Sequence, residues 1–276
     1  MTVQFEKVTG PVIVKNGASL WLPSNVIKGL VNLGEPDIYT ESTAQLYPLG
    51  TKLEFSDGRL FRYGKFGLTN LNVPKGRMVV NANYNPDTTG QEDVDGFYGD
   101  LYGDHAAGLE YVDLEKSTAY AENFFEDGML TVFPTGHYCE YRICGSELGN
   151  GTYCRIYLDA PLKTAVGGSV GVSAYKSMFS HLETPDATAG NAEYTSVMGV
   201  CLCATFTTGS FGWIQRRGRC FIVGSGVGDA VNERVVQLVT DGTVTIKSTA
   251  TLQDIGYLIN KTAASAGDTE YWLQLE

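Results

Sequence analysis

Three histidines, His105, His137 and His181, are the imidazoles of this chain that could act as a catalytic base. Nucleophilic hydrolysis requires such a base within reach of an activated nucleophile, and none of the three histidines lies in a recognisable motif. The chain also has no Walker loop and no dinucleotide-binding fingerprint. We therefore predict no catalytic residues, no cofactor and no enzymatic activity.

The cysteines are the next candidates for chemistry, because thiolates bind zinc when they are suitably spaced. Cys139 and Cys144 are five residues apart, and Cys201 and Cys203 would lie on one face of a strand, so neither pair has the C-x₂-C spacing of a zinc site. Without a visible secretion signal, reduced thiols are expected rather than a disulfide framework. We predict buried, apolar cysteines and no metal site; the six are Cys139, Cys144, Cys154, Cys201, Cys203 and Cys220.

Residues 81–111 form an acidic stretch rich in glycine and tyrosine. Its carboxylates could supply oxygen ligands for calcium, but the alternation and the terminal glutamate of an EF-hand loop are missing. We interpret the stretch as a long surface excursion that a partner could order. The acids considered are Glu92, Asp93, Asp95, Asp100 and Asp104.

The one basic cluster, Arg216-Arg217-Gly218-Arg219, follows shortly after Trp213. In an acidic chain such a cluster suits docking onto an acidic neighbouring subunit, and the simpler alternative is a turn with solvated arginines. Arginine and aromatic side chains are enriched where subunits meet. We predict that Arg216, Arg217, Arg219 and Trp213 contact a neighbouring subunit.

Composition limits the classes of partner and of fold. The 276 residues carry 20 Lys+Arg against 31 Asp+Glu, a formal net charge of −11, which disfavours nucleic acid as the main ligand. The most apolar stretch, Val197–Phe206, is far shorter than the roughly 20 residues of a membrane-spanning helix, so we predict no membrane partner. With 33 Gly, 16 Tyr and 12 Phe and only 18% charged residues, the chain favours strands and turns over exposed helices.

The order of local patterns predicts a mainly β fold: a sandwich or barrel of short antiparallel strands. Asp57-Gly58 and Asp241-Gly242 predict hairpins with type I′ turns, and Asn150-Gly151 connects two further strands, 139–143 and 153–157. Capping residues predict one short helix over Ser117–Gly128. Prolines at 11, 23, 36 and 48 predict an N-terminal extended arm with edge strands over 1–50, followed by a β-rich core over 51–276.

Several short motifs occur in an order that resembles virion structural proteins of tailed bacteriophages, notably of marine and environmental phages. Phe55–Tyr63 resembles their early D-G-R hairpin, and Glu122–Leu130 resembles their D-G strand. Tyr141-Arg142-Ile143, Ile156–Leu162 and the aromatic-W-x-Q strand of Phe211–Cys220 follow in the same order, and Ile255-Gly256-Tyr257 closes the series. Together these motifs cover most of the chain from about Lys52 onward.

The resemblance implies a head decoration or cement protein that stabilises an icosahedral capsid by bridging major capsid subunits, as a homotrimer. Its partners would be the major capsid protein and further copies of itself, and no catalytic residue transfers from such proteins. The expected location is the capsid surface of the virion, after synthesis in the host cytoplasm. Two alternatives stay open: a major capsid protein, which would need a long spine helix, and a carbohydrate- or receptor-binding virion domain, in which exposed aromatic rings stack on sugars.

Overall fold

The fold was analysed in a computed structural model, which describes most of the chain in fourteen segments. These are residues 11–13, 18–21, 36–67, 73–74, 76–81, 96–115, 120–136, 138–185, 196–203, 205–224, 234–239, 241–247, 253–260 and 269–276.

Every regular element in the described segments is a β-strand, and all the strand pairs are antiparallel, which confirms the predicted mainly β fold. None of the described residues belongs to a helix long and apolar enough to cross a membrane. The strands are β1 (Pro11–Ile13), β2 (Ser19–Trp21), β3 (Lys52–Glu54), β4 (Leu60–Lys65), β5 (Val73–Pro74), β6 (Met78–Asn81), β7 (Gly96–Asp100), β8 (Tyr111–Glu115), β9 (Met129–Val132), β10 (Cys139–Ser146), β11 (Tyr153–Leu158), β12 (Gly171–Tyr175), β13 (Leu182–Glu183), β14 (Val197–Cys201), β15 (Thr205–Phe206), β16 (Phe211–Ile222), β17 (Val235–Leu238), β18 (Val244–Ile246), β19 (Asp254–Asn260) and β20 (Thr269–Gln274).

The chain forms two compact units, Met1–Ala82 with Phe179–Glu276 as the first and Asn83–Met178 as the second. The first unit contains a twelve-stranded sheet in the order β1-β2-β3-β4-β16-β20-β19-β17-β18, from which β14, β6 and β13 branch at β16. A short β5–β15 pair also belongs to this unit. Strand β16 is therefore its centre, because it pairs with β4, β20 and β14.

The second unit is a six-stranded sheet in the order β7-β12-β9-β10-β11-β8. Its two end strands meet: Leu101, just after β7, bridges Leu114 of β8, and the Tyr102 N–H donates to the Asp113 carbonyl at 2.8 Å. The sheet thereby closes around its own apolar core, in which Phe125, Leu130 and other large side chains are fully buried.

The boundary predicted at residue 50 does not coincide with a boundary between these units. Strands β1 and β2 extend the first sheet beyond β3, and Ile38, Tyr47 and Leu49 are buried in the core of the first unit. Of the predicted arm, residues 1–10, 14–17 and 22–35 lie outside the described residues.

The described part of the predicted 81–111 excursion includes β7 and belongs mostly to the second unit, and residues 82–95 are not described.

The two Asp-Gly hairpins are present as β3–β4 and β17–β18, but the predicted turn type is wrong. At the first hairpin only Gly58 of the Asp-Gly pair has a positive φ, 87°, whereas a type I′ turn needs positive φ at both central residues. The Gly58 N–H donates to the Phe55 carbonyl at 3.0 Å, and the Phe55 N–H donates to the Arg59 carbonyl at 2.9 Å. These bonds define a three-residue loop that ends in a glycine bulge.

The third predicted pairing forms with a shifted register. Ile143, Gly145 and Ser146 of β10 pair with β11, whereas Cys139–Arg142 pair with β9 on the other side. A bulge between Ile143 and Gly145 lets β10 pass from one partner to the other.

The predicted helix is wrong over Tyr120–Gly128, where the chain forms consecutive turns; Ser117–Ala119 are not described. Asn123 and Asp127 adopt left-handed φ values of 58° and 62°, which a right-handed helix cannot contain. Their backbone N–H groups donate to the carbonyls of Ser146 and Ile143 at 2.8 and 3.0 Å. Bonds to β10 thus replace the bonds that a helix would make.

The Arg-Arg-Gly-Arg cluster is not a turn, because β16 runs through it without interruption. A bulge lies between Gln215 and Arg217, and the Gln215 side-chain Nε2 donates to the carbonyls of Arg217 and Arg219 at 3.0 and 2.9 Å. Gly218 has a φ of 90°, and a Cβ placed on it would lie 3.0 Å from Arg59 Cα. The glycine that suggested a turn therefore allows a bulged strand to pass close to the β3–β4 hairpin.

We expect Gly218→Ala to destabilise the protein by about 1–3 kcal/mol, because alanine would adopt an unfavourable φ and crowd the hairpin backbone. The matched control is Gly171→Ala in β12, where φ is ordinary and a Cβ meets nothing within 4 Å. Its effect should stay within about 0.5 kcal/mol. Urea unfolding of both variants measures the difference, and equal losses would contradict this account of Gly218.

Candidate functional site: an exposed aromatic ladder

Trp213 lies in the core of the first unit with 2% of its surface exposed. Its ring packs against Tyr47 and Tyr63, with centroids 5.2 and 5.1 Å away. The side chain predicted to contact a partner, or to stack on a sugar, is therefore an internal packing residue.

The three arginines of the cluster are held by carboxylates of the same unit. Arg216 pairs with Glu276, Nε to Oε2 at 3.0 Å, and Arg217 pairs with Glu54 at 2.5 Å. Arg219 pairs with Glu270, but 65% of its side chain remains exposed. Of the four predicted contact residues, Arg219 is thus the one that the structure places well out at a surface.

Arg216 is buried, and its guanidinium is satisfied from several directions. Besides Glu276, it donates to the carbonyls of Met198 and Leu275 at 2.7 and 3.2 Å. Burial lowers the pKa of Arg216 to about 10, and the nearby Arg62 guanidinium acts in the same direction. Arg62 also binds Glu276, so this carboxylate ties β4 to β16.

The second half of β16 lies beside an exposed row of large side chains. The strand registers place Val235 of β17, Tyr257 of β19, Trp272 of β20 and Arg219 of β16 directly across from one another. The Tyr257 and Trp272 rings are stacked, with centroids 6.5 Å apart and an interplanar angle of 19°. The register thus builds one continuous row across four strands.

Two more apolar side chains widen this row. Phe221 lies two residues after Arg219, so it points to the same face of the sheet. Ile259 lies at the register shift between Leu258 and Asn260 of β19, beside this row. Phe221, Val235, Tyr257 and Ile259 are each 40–42% exposed. We call this set the aromatic ladder: Arg219, Phe221, Val235, Tyr257, Ile259 and Trp272.

The aromatic ladder combines residue types that are enriched at protein interfaces. Trp, Tyr and Arg dominate the binding energy at protein interfaces, and contiguous exposed apolar groups on a soluble protein mark interaction sites. Arg219 and Glu270 supply a charged pair at its edge. Sequence reasoning found Arg219 but not its neighbours, because their assembly depends on the pairing of strands distant in sequence.

A buried polar cluster lies in the second unit around His105, which is 3% exposed. Its Nε2 accepts the Asp113 backbone N–H at 3.0 Å, and its Nδ1 has no hydrogen-bond partner in the described part of the chain. The Asp113 carboxylate accepts two bonds from Arg155, at 2.8 and 3.0 Å, and Arg155 lies over the Tyr111 ring. The cluster joins β8 to β11.

The sequence contains one pattern, G-x-S-x-G, that surrounds the catalytic serine of many hydrolases. Gly167–Gly171 has the letter pattern G-x-S-x-G, with Ser169 exposed at its centre. A nucleophile elbow places its serine between a strand and a helix, whereas Ser169 is followed by strand β12. Ser169 is therefore a loop residue.

His181 lies in the first unit against Gly67, and His137 is not described.

All six cysteines are free thiols. Burial raises the pKa of Cys154 to about 11 and raises those of Cys201 and Cys220 as well. The described residues contain no group of three or more His, Cys, Asp or Glu side chains placed to hold a metal ion. Of the five acids considered for calcium, Asp104 accepts the Gly168 N–H at 3.0 Å, and Glu92, Asp93 and Asp95 are not described.

We expect Asp113→Asn to lower stability by about 2 kcal/mol at pH 7, because Arg155 loses its charged acceptor. Burial raises the pKa of Asp113, but the neighbouring His105 side chain and the two bonds from Arg155 outweigh burial, so its pKa lies below the ordinary value. A depressed carboxyl pKa stabilises the fold above the unfolded-state value of about 3.9, and this contribution disappears as pH falls further.

The difference between Asp113→Asn and the unmodified protein should therefore shrink in urea unfolding below about pH 4. Asp254→Asn is the control, since its pair with Lys247 is largely exposed and should contribute less than about 1 kcal/mol. A difference that stayed constant from pH 7 to pH 3 would rule out the ionised Asp113 as its source.

Comparison of the chain with protein-family models, with curated proteins and with solved structures found no match, so the assignment of function depends on the geometry described above.

Proposed function

We propose that this protein is a structural protein of a tailed-phage head that binds major capsid subunits and stabilises the shell. The aromatic ladder is the observation that carries this proposal, because it offers a second protein a flat surface of aromatic, aliphatic and arginine side chains. The order of motifs that resembles phage virion proteins supplies the identity of that second protein. The expected location is the outer surface of the virion.

A decoration role suits the described structure better than a major capsid role does. The common major capsid fold requires a long spine helix, and the described segments contain strands and turns but no helix. Antiparallel sheets also offer exposed strand edges, to which a neighbouring chain can add a strand. A decoration protein acts by bridging, so weak contacts repeated over many copies sum to a strong attachment.

The proposal includes self-association as a homotrimer, because a threefold assembly can bridge several capsid subunits at once. Sedimentation velocity of the purified protein measures this directly. We expect a species of about three times the 29.9 kDa chain mass. A monomer at micromolar concentration would contradict the trimer.

Capsid binding is tested by co-sedimentation with expanded, empty capsids of the phage that encodes the protein. We expect the unmodified protein to pellet with the capsids and Tyr257→Ala and Arg219→Glu to bind at least about tenfold more weakly, as for interface side chains worth about 1.4 kcal/mol or more. Tyr39→Ala is the matched control, since Tyr39 is 59% exposed in the same unit but lies outside the aromatic ladder.

Two results would overturn the proposal. Failure of the unmodified protein to pellet with its own capsids would exclude the decoration role. Equal binding of Tyr257→Ala, Arg219→Glu and Tyr39→Ala would exclude the aromatic ladder as the contact surface. Thermal unfolding of each variant confirms that the changes at this exposed face leave the fold intact.

A further inference from the structure

The second unit has an exposed face of a different composition. Tyr98 on β7 is 67% exposed, and Tyr138, just before β10, is 72% exposed. Met129 and Phe133, at the two ends of β9, are 43% and 44% exposed. Their neighbours in sequence, such as Phe97, Leu130 and Val132, point inward to the core. We call these four residues the tyrosine face.

Small residues lie between the aromatic side chains of this face. Strand β12 runs between β7 and β9, and its Gly171 and Ser173 alternate with the core residues Val172 and Ala174. Ser173 is covered by its neighbours, with 3% of its surface exposed. Ser173 is paired with Tyr98 on one side and with Thr131 on the other. A Cβ placed on Gly171 would meet nothing within 4 Å, so the space above this glycine is open.

Phe133 lies on the far side of Gly171. Its N–H donates to the Gly171 carbonyl at 2.9 Å, and its ring lies 6.3 Å from the Tyr138 ring, at 60°. Neighbouring strands are about 4.8 Å apart and rows on one face about 6.8 Å apart, so the backbones at Tyr98 and Phe133, two strands and one row apart, stand roughly 12 Å from each other. The open space above Gly171 thus lies between exposed aromatic side chains on both neighbouring strands, and we call this region the trough.

Carboxylates lie at the positions next to the trough. Asp100 is paired with Gly171, and Glu140 is paired with Thr131; both are exposed. The guanidinium of Arg142, two residues after Glu140 on β10, is bound to Asp127 at 2.7 Å. The trough thus combines aromatic rings with acceptor oxygens and carries negative charge.

We infer that this trough binds a neutral saccharide. A pyranose ring has an apolar C–H face that packs on an exposed aromatic ring, and hydroxyl groups at its edge that donate to carboxylates. Nucleic acid bases also stack on tyrosine, but the phosphates of a nucleic acid would be repelled by Asp100 and Glu140. The same repulsion disfavours acidic polysaccharides. Protein interface cores are depleted of charged residues, whereas carboxylates line this trough.

This inference does not depend on the capsid proposal, since the two surfaces share no residue. A virion protein with both surfaces would hold the shell through one and a sugar polymer, such as a neutral cell-surface glycan, through the other. The two assays therefore fail separately: loss of capsid binding leaves saccharide binding to be measured on its own.

The test is affinity electrophoresis of the intact protein in gels that contain dextran, galactomannan, mixed-linkage β-glucan or glycol chitin, with polygalacturonate as the acidic comparison. We expect retardation by at least one of the neutral polymers and none by polygalacturonate. Tyr98→Ala and Tyr138→Ala should each weaken the retardation at least tenfold. Tyr157→Ala is the matched control, since Tyr157 is exposed on β11 of the same unit, away from the trough.

A second variant separates binding from folding. Gly171→Val fills the open space at the floor of the trough with a side chain that suits a strand, so it should abolish retardation while leaving thermal unfolding unchanged. Absence of retardation by every neutral polymer would overturn the inference, as would retardation that survives Tyr98→Ala and Gly171→Val. Loss of capsid binding in Tyr98→Ala without any saccharide binding would assign the trough to a protein contact instead.

Discussion

The burial of one guanidinium, that of Arg216, constrains most of the first unit. A charge removed from water is costly unless it is paired and hydrogen-bonded, and here Glu276 and the carbonyls of Met198 and Leu275 meet this requirement. These partners come from β14 and from the residues that follow β20, so both must pack against β16 for the arginine to be satisfied. Arg62 on β4 shares Glu276 and joins the same network.

The bulge beside Arg216 decides which side chains face outward. From Phe211 to Arg216 every residue of β16 is buried: β4 and β14 pair with its two edges, and Phe211, Trp213 and Ile214 pack in the core of the first unit. After the bulge the strand alternates, with Arg217, Arg219 and Phe221 outward and Cys220 and Ile222 in the core. The exposed aromatic ladder thus begins where the buried half of the strand ends, so one half of the strand belongs to the core and the other to the surface.

Local signals in the sequence were reliable where a short-range interaction decides the structure. Asp57-Gly58 and Asp241-Gly242 identified hairpins, because a glycine with positive φ is required there whatever the rest of the chain does. Gly218 has the same local chemistry, yet long-range pairing of β16 with β4 and β20 extends the strand through it. The surface around Tyr257 and Trp272 was missed for a related reason, since the strand register that aligns them involves residues far apart in sequence.

The contact between the end strands of the second unit affects how copies of the protein pair when they are packed together. An open sheet presents unpaired N–H and C=O groups along its outermost strands, and these groups can recruit the strands of other copies into fibres. In the second unit the bridge between Leu101 and Leu114 joins the two outermost strands at one point, which shortens that template. Copies packed side by side at high local concentration then meet a shorter unpaired edge in this unit.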